Sequence, residues 1–117
     1  MLKNRIRKLL LAGGVDPSLI GYEHLLTGIY LCYNDRSLLQ HATEELYHVI
    51  AEEYGTNIAN VRRCMRYAVE NMKQTDCFWF KNEVVVLIDN RCQLTNSQFI
   101  AICVEILKMQ EGEENVK

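Results

Sequence analysis

Three arginines within five residues, Arg62, Arg63 and Arg66, are the side chains of this chain whose type and spacing point most directly to a chemistry. A guanidinium is a planar fork of donors that can bond O6 and N7 of guanine together or clamp phosphate oxygens, and a lysine ammonium does not reproduce that fork. At three- and four-residue steps the arginines share one side of a helix. Asn57 is placed to cap the start of that helix, and the amide of Asn60, within a turn of the arginines, can bond an adenine edge or a phosphate. The chemistry implied is the reading of double-stranded DNA.

Such arginines need a rigid support. Residues 49–66 have the layout of a helix-turn-helix, in which two helices meet steeply through a short turn. That geometry asks for a small residue at the contact, a glycine in the turn and apolar residues locking the second helix onto the first. Ala51, Gly55, and Val61 with Cys64 occupy those places. In this register Asn57, Ile58, Ala59, Arg62, Arg63 and Arg66 point away from the protein. The expectation is a recognition helix over residues 57 to about 72, lying in the major groove.

The rest of the chain supplies the elements that hold this pair. Leu2, Ile6, Leu9 and Leu10 form a stripe opposite Lys3, Arg5, Arg7 and Lys8, and Gly13-Gly14 follows, which predicts a short first helix. Asp16-Pro17 reads as an N-cap with proline at the first helical position, and Tyr22, Leu25, Leu26, Ile29, Tyr30 and Tyr33 predict a second helix. After Asn34-Asp35 a third stripe of Leu39, Ala42, Leu46, Val49, Ile50 and Tyr54 runs to Gly55. The fourth helix turns Ile58, Val61, Cys64, Met65, Ala68, Val69 and Met72 inward. Beyond it, Cys77-Phe78-Trp79-Phe80 predicts core closure in a short helical turn and residues 83–88 an extended arm. Thr95-Asn96-Ser97 offers caps for a last helix carrying Phe99, Ile100, Cys103, Ile106 and Leu107, and the polar, acidic tail from about residue 110 to 117 is expected to be flexible. With neither linker nor internal repeat, the fold class is all-α and residues 1–117 are one domain.

Composition removes several classes of function. Of the 117 residues, 49% are hydrophobic and 24% charged, as in an ordinary globular domain able to build one core without a disulfide or a metal. A net charge of −2 disfavours a polycationic coat, so DNA binding must come from a local patch. The offsetting acids, Glu44, Glu45, Glu52 and Glu53, are read as one solvated side of the third helix. Five cysteines, Cys32, Cys64, Cys77, Cys92 and Cys103, are odd in number and too widely spaced for a zinc site, which predicts small buried hydrophobes in a reducing cytoplasm. His24, His41 and His48 lack the spacing of a metal motif, and no apolar run is long enough for a bilayer. Without a phosphate-binding loop, nucleophile elbow or dinucleotide fingerprint, the chain is expected to be a non-enzyme with no cofactor.

Several short motifs in order make a further reading specific. Gly14-Val15 with Gly21-Tyr22, Tyr33-Asn34-Asp35 with Leu38-Leu39, Leu46-Tyr47 with Ile50-Ala51 and Tyr54, Arg63 with Arg66-Tyr67-Ala68-Val69-Glu70, and Thr95-Asn96-Ser97-Gln98-Phe99-Ile100-Ala101 together resemble the C-terminal DNA-binding effector domain of the sporulation master response regulator. The resemblance runs from about residue 14 to 107. It implies a compact six-helix fold, transcription regulation by tandem copies on adjacent short DNA boxes, and RNA polymerase as a further partner. Arg63 and Arg66 match arginines of that family's recognition helix. Asn60 stands where the family usually has an arginine, Arg62 where it has a glutamate, Tyr67 where it has a histidine and Gln98 where it has a glutamate. The DNA-contacting set expected is therefore Asn57, Asn60, Arg62, Arg63, Arg66 and Tyr67, with a preferred sequence that can differ from the family's box.

The start of the last helix, Gln98, Phe99 and Ile102, matches the region through which neighbouring family copies touch, so self-association on DNA is expected there. The family domain follows a phosphoacceptor receiver domain, whereas Met1 here opens onto a basic amphipathic helix. A free-standing relative is the expectation, an excised domain the other reading. The competing function is a protein-interaction module that keeps the fold without binding DNA and titrates a full-length regulator or another partner.

Overall fold

The computed structural model describes residues 1–40, 43–72 and 95–115. These form six helices and no strand: α1 (Leu2–Ala12), α2 (Ile20–Asn34), α3 (Ser37–Gln40), α4 (Thr43–Glu53), α5 (Ile58–Glu70) and α6 (Asn96–Asn115). The all-α expectation holds. The Cys77-Phe78-Trp79-Phe80 cluster, the arm at 83–88, His41, Ala42, Cys92 and the last two residues lie outside the described residues.

Burial on nearly every side makes α2 the axis of the fold. Gly21, Tyr22, every residue from 24 to 29, and Cys32 are buried, and α2 packs against each of the other five helices. Around it Ile6 and Leu10 of α1, Leu46 and Ile50 of α4, Val61 and Met65 of α5, and Phe99, Ile100, Cys103 and Leu107 of α6 are at most 2% exposed. Removing such side chains from water is the dominant favourable term, worth about 1.5–3 kcal/mol for each large one. Cys32 and Cys103 behave as the small hydrophobes expected: burial pushes the Cys32 thiol up to about 11 and that of Cys103 further in the same direction. His24 is also buried, edge-on to the Tyr54 ring at 5.0 Å, and burial lowers its pKa.

Helices α1 and α4 stop in the same way. Past α1, Val15 N–H donates to Leu10 C=O and Gly14 N–H to Leu11 C=O, both at 3.0 Å, with Gly14 at φ 84°. Past α4, Thr56 N–H donates to Ala51 C=O at 2.9 Å and Gly55 N–H to Glu52 C=O at 3.4 Å, with Gly55 at φ 65°. This is the Schellman pattern, which satisfies the last carbonyls by placing one residue in the left-handed region that glycine tolerates.

Elsewhere the sequence expectations need correction. Helix α2 does not begin after Asp16: Asp16 Oδ1 accepts from Ser18 N and Oγ at 2.9 and 2.8 Å, closing a separate turn, and the helix starts at Ile20. The third stripe belongs to two helices. Asp35 Oδ1 accepts from Ser37 N and Oγ and starts α3, while α4 begins at Thr43. Val49 and Tyr54, counted in that stripe, are 40% and 38% exposed. The last helix is capped as expected by a reciprocal box, Gln98 N–H to Thr95 Oγ1 at 3.1 Å and Thr95 N–H to Gln98 Oε1 at 2.9 Å. It runs to Asn115. Its Glu111 accepts from the Tyr33 hydroxyl and faces Arg5 at 3.8 Å.

Candidate nucleic-acid interface

Helix α5 is placed by contacts on three sides. Its own start is capped by Asn57, in extended backbone, whose Oδ1 accepts from Asn60 N–H at 2.8 Å. Val61, Met65, Ala68 and Val69 are buried beneath it, and Ala51 is buried on α4. On the α2 side the two backbones approach so closely that a Cβ at Gly21 would overlap the Cys64 carbonyl and lie 2.9 Å from Ala68 Cβ. On the α6 side buried Asn96 donates from Nδ2 to the Arg62 carbonyl at 3.0 Å. A side-chain bond to a backbone carbonyl from a separate helix fixes α5 along its axis.

The outward residues are Asn57, Ala59, Arg62, Arg63, Arg66, Tyr67 and Glu70, all exposed. Each arginine is held differently. Arg62, at the α4 flank, has Nη2 3.7 Å from Glu44 Oε1 and its guanidinium over the Tyr47 ring at 5.1 Å. Arg66 Nε donates to Glu70 Oε2 at 3.1 Å, one turn on. Arg63 Nη2 donates to the neutral Oδ1 of Asn60 at 2.6 Å. The exposed Arg62–Glu44 and Arg66–Glu70 pairs are worth about 0–1 kcal/mol each, so a phosphate or base edge competes with them readily. Arg63 and Tyr67 also line a cleft of about 410 Å³ with Ser18, Leu19, Ile20, Gly21 and Cys64.

The structure therefore exposes Arg62, Arg63, Arg66 and Tyr67 along the outer side of α5, leaves Asn57 exposed at its capped leading end, and sets Asn60 half-buried with its amide bonded within the protein. Ile58 is half-buried too, where the helix-turn-helix register pointed it outward. Cys64 is half-buried instead of sealed in the core, its Sγ 3.7 Å from Asn60 Oδ1. The four acids of α4 do not share one side: Glu44 faces Arg62, Glu52 pairs with His48 at 3.0 Å, and Glu53 accepts from Thr27 at 3.4 Å.

Phe99 corrects the expected self-association surface. It is fully buried, because the Thr95–Gln98 box sets the helical phase that turns Phe99 inward with Ile100 and Cys103. Gln98 is exposed but engaged in that box, and Ile102 is half-buried. Glu44, Tyr47, Gly21 and Asn96 were missed as supports of the site. Contacts between separate helices leave no spacing signal in a sequence. Among the described residues no group of three or more His, Cys, Asp or Glu side chains is arranged for a metal, and no helix is long and apolar enough to cross a membrane.

An all-α domain with a helix-turn-helix, whose second helix presents a cationic outer face, is the class that this fold and site define. The family model described as "Sporulation initiation factor Spo0A C terminal" matches residues 6–107 of the 117, and the chain belongs to that family. It is a family of DNA-binding effector domains and not one of enzymes.

Proposed function

We propose that this domain is a sequence-specific regulator of transcription that lays the leading half of α5 in the major groove of double-stranded DNA. The observation that carries the reading is the outer face of α5, where Arg62, Arg63 and Arg66 are all exposed and the carboxylates facing Arg62 and Arg66 make exposed pairs weak enough for DNA to displace. Arg63 is the base reader, suited to guanine O6 and N7. Arg66 and Arg62 take the phosphates on either side or a neighbouring base, and Asn57 and Tyr67 border the backbone. Adjacent copies bind in tandem, with Gln98 and Ile102 nearest the neighbour, and the bound array engages RNA polymerase.

The test is selection of duplexes from a randomised pool, followed by fluorescence anisotropy on the selected and a scrambled duplex. Arg63→Ala is expected to weaken the selected duplex about 5- to 150-fold, the equivalent of one bidentate contact of roughly 1–3 kcal/mol, with a much smaller effect on the scrambled one. Affinity should fall with salt by about 0.9 log unit per log unit for each phosphate neutralised. Equal affinity for both duplexes, or an Arg63→Ala protein that binds like wild type, overturns the reading. Absence of DNA binding with a co-purified partner favours the interaction module instead.

A further inference from the structure

The base contact expected of Asn60 conflicts with what its atoms already do. Its backbone N–H donates to Asn57 Oδ1 at 2.8 Å, its side-chain Nδ2 donates to Thr56 Oγ1 at 2.8 Å, and its Oδ1 accepts from Arg63 Nη2 at 2.6 Å. The amide orientation is dictated by Arg63. A guanidinium has donors only, so turning the amide over would set NH₂ against N–H, whereas the Thr56 hydroxyl can meet either end. Bidentate reading of adenine needs an asparagine's Oδ1 and Nδ2 turned together to the base edge, whereas here Nδ2 is directed at Thr56 and Oδ1 at Arg63, with Cys64 Sγ also 3.7 Å from that oxygen.

Asn60 and Arg63, three residues apart, are neighbours on the surface of α5, and Thr56, in the turn just before the Asn57 cap, reaches Asn60 from outside the helix. Long helical side chains already lean toward the N-terminus, and Asn60 pins the end of that lean. The leading residues of a recognition helix are those that reach base edges. We infer that Asn60 is a positioning residue: the Thr56–Asn60 pair holds the Arg63 guanidinium at the leading end of α5, ready for a base, and Asn60 makes no base contact itself. The inference rests on the DNA-reading function proposed above and names what sets its specificity. A neutral anchor suits this task, because it restrains a long side chain without cancelling its charge. Arg62 and Arg66 each face a carboxylate.

Ordering a rotamer-rich side chain before binding is worth roughly a threefold to tenfold gain in affinity. Asn60→Ala should therefore weaken the selected duplex by about that factor and leave the scrambled duplex unchanged. The loss should vanish when Arg63 is already alanine. Asn60→Asp, which keeps the acceptor, should retain the selected-to-scrambled ratio even as its charge weakens both. In the free protein, ¹⁵N relaxation at Arg63 Nε should show a lower order parameter in Asn60→Ala. The fold should be retained, because the Asn57 cap uses the backbone N–H of residue 60. A loss that persists undiminished in the Arg63→Ala background means direct contact with DNA and overturns the inference, as does an unchanged Arg63 order parameter. If Arg63→Ala affects no duplex, the proposed function fails, and the order parameter alone still decides whether Asn60 positions Arg63.

Discussion

Helices α2 and α5 meet at Gly21, yet they use their surfaces in opposite ways. From residue 24 to 29 every side chain of α2 is buried, which leaves almost no periodic contrast between faces and almost no surface for a ligand. Helix α5 buries Val61, Met65, Ala68 and Val69 and exposes Ala59, Arg62, Arg63, Arg66, Tyr67 and Glu70. The difference separates two tasks. Helix α2 carries packing energy and sets where α5 lies, while the outer half of α5 carries charge that contributes little to stability, the charge that the proposed function puts against DNA.

Removing the separation at its contact point should have the largest effect. In Gly21→Ala the new methyl overlaps a backbone carbonyl, which cannot rotate away as a side chain would. A loss of about 4 kcal/mol in urea unfolding is expected, beyond the usual cost of over-packing, with DNA binding lost as α5 shifts. A variant as stable as wild type would show that the close approach does not fix α5. Met65→Ala is the next test, made on the inner face of α5 itself. Deleting this fully buried side chain should cost about 3 kcal/mol, while affinity for the selected duplex stays within about twofold at a temperature where the variant is folded. A binding defect as large as that of Arg63→Ala would show that the two faces of α5 are not separable.

The same contrast explains what could be read from the chain. Helix α5 was legible because a cap, Asn57, precedes a clean alternation of apolar and basic positions, and the stop at Gly55 is a conformational demand that few residues meet. The start of α2 was not, because Asp16 followed by proline gives the same signal for a helix cap as for the isolated turn it forms with Ser18. The break between α3 and α4 was hidden by apolar residues that keep a helical period across it, Leu39 before and Leu46 after. Gly21 belongs to a motif of the family resemblance, but its close approach to α5 carried no sign of its own, since a glycine inside a helix reads as a weak point until the neighbouring backbone is known. Asn60 was recoverable in principle. Arg63 three residues after it is a partner an asparagine on a helix can reach, Thr56 just ahead of the cap is close enough to meet its other end, and both compete with any base for its amide.

Smaller changes sharpen the comparison at the edges of α5. Asn57→Ala removes the only side-chain bond to the helix start that the Asn57 cap provides and should cost about 1 kcal/mol in unfolding, with lower helicity by circular dichroism. A cost near zero would mean that packing against α2 and α4 alone fixes the leading end.

Glu44→Gln should do least to the fold and still register on DNA. Glu44 is 81% exposed and 3.7 Å from Arg62, so the pair is worth well under about 1 kcal/mol and the melting temperature should barely move. The carboxylate nevertheless sits beside the cationic face and opposes any phosphate that Arg62 would clamp. Removing it should tighten binding by about twofold to threefold at low salt, with the gain fading as the Debye length shortens toward 3 Å at 1 M. A gain that persists at high salt would point to a changed Arg62 geometry instead of relieved repulsion. Weaker binding would make Glu44, with the Tyr47 ring beneath the guanidinium, a holder of Arg62 comparable to Asn60 for Arg63. The outer face of α5 would then be as dependent on its neighbours as the inner face is.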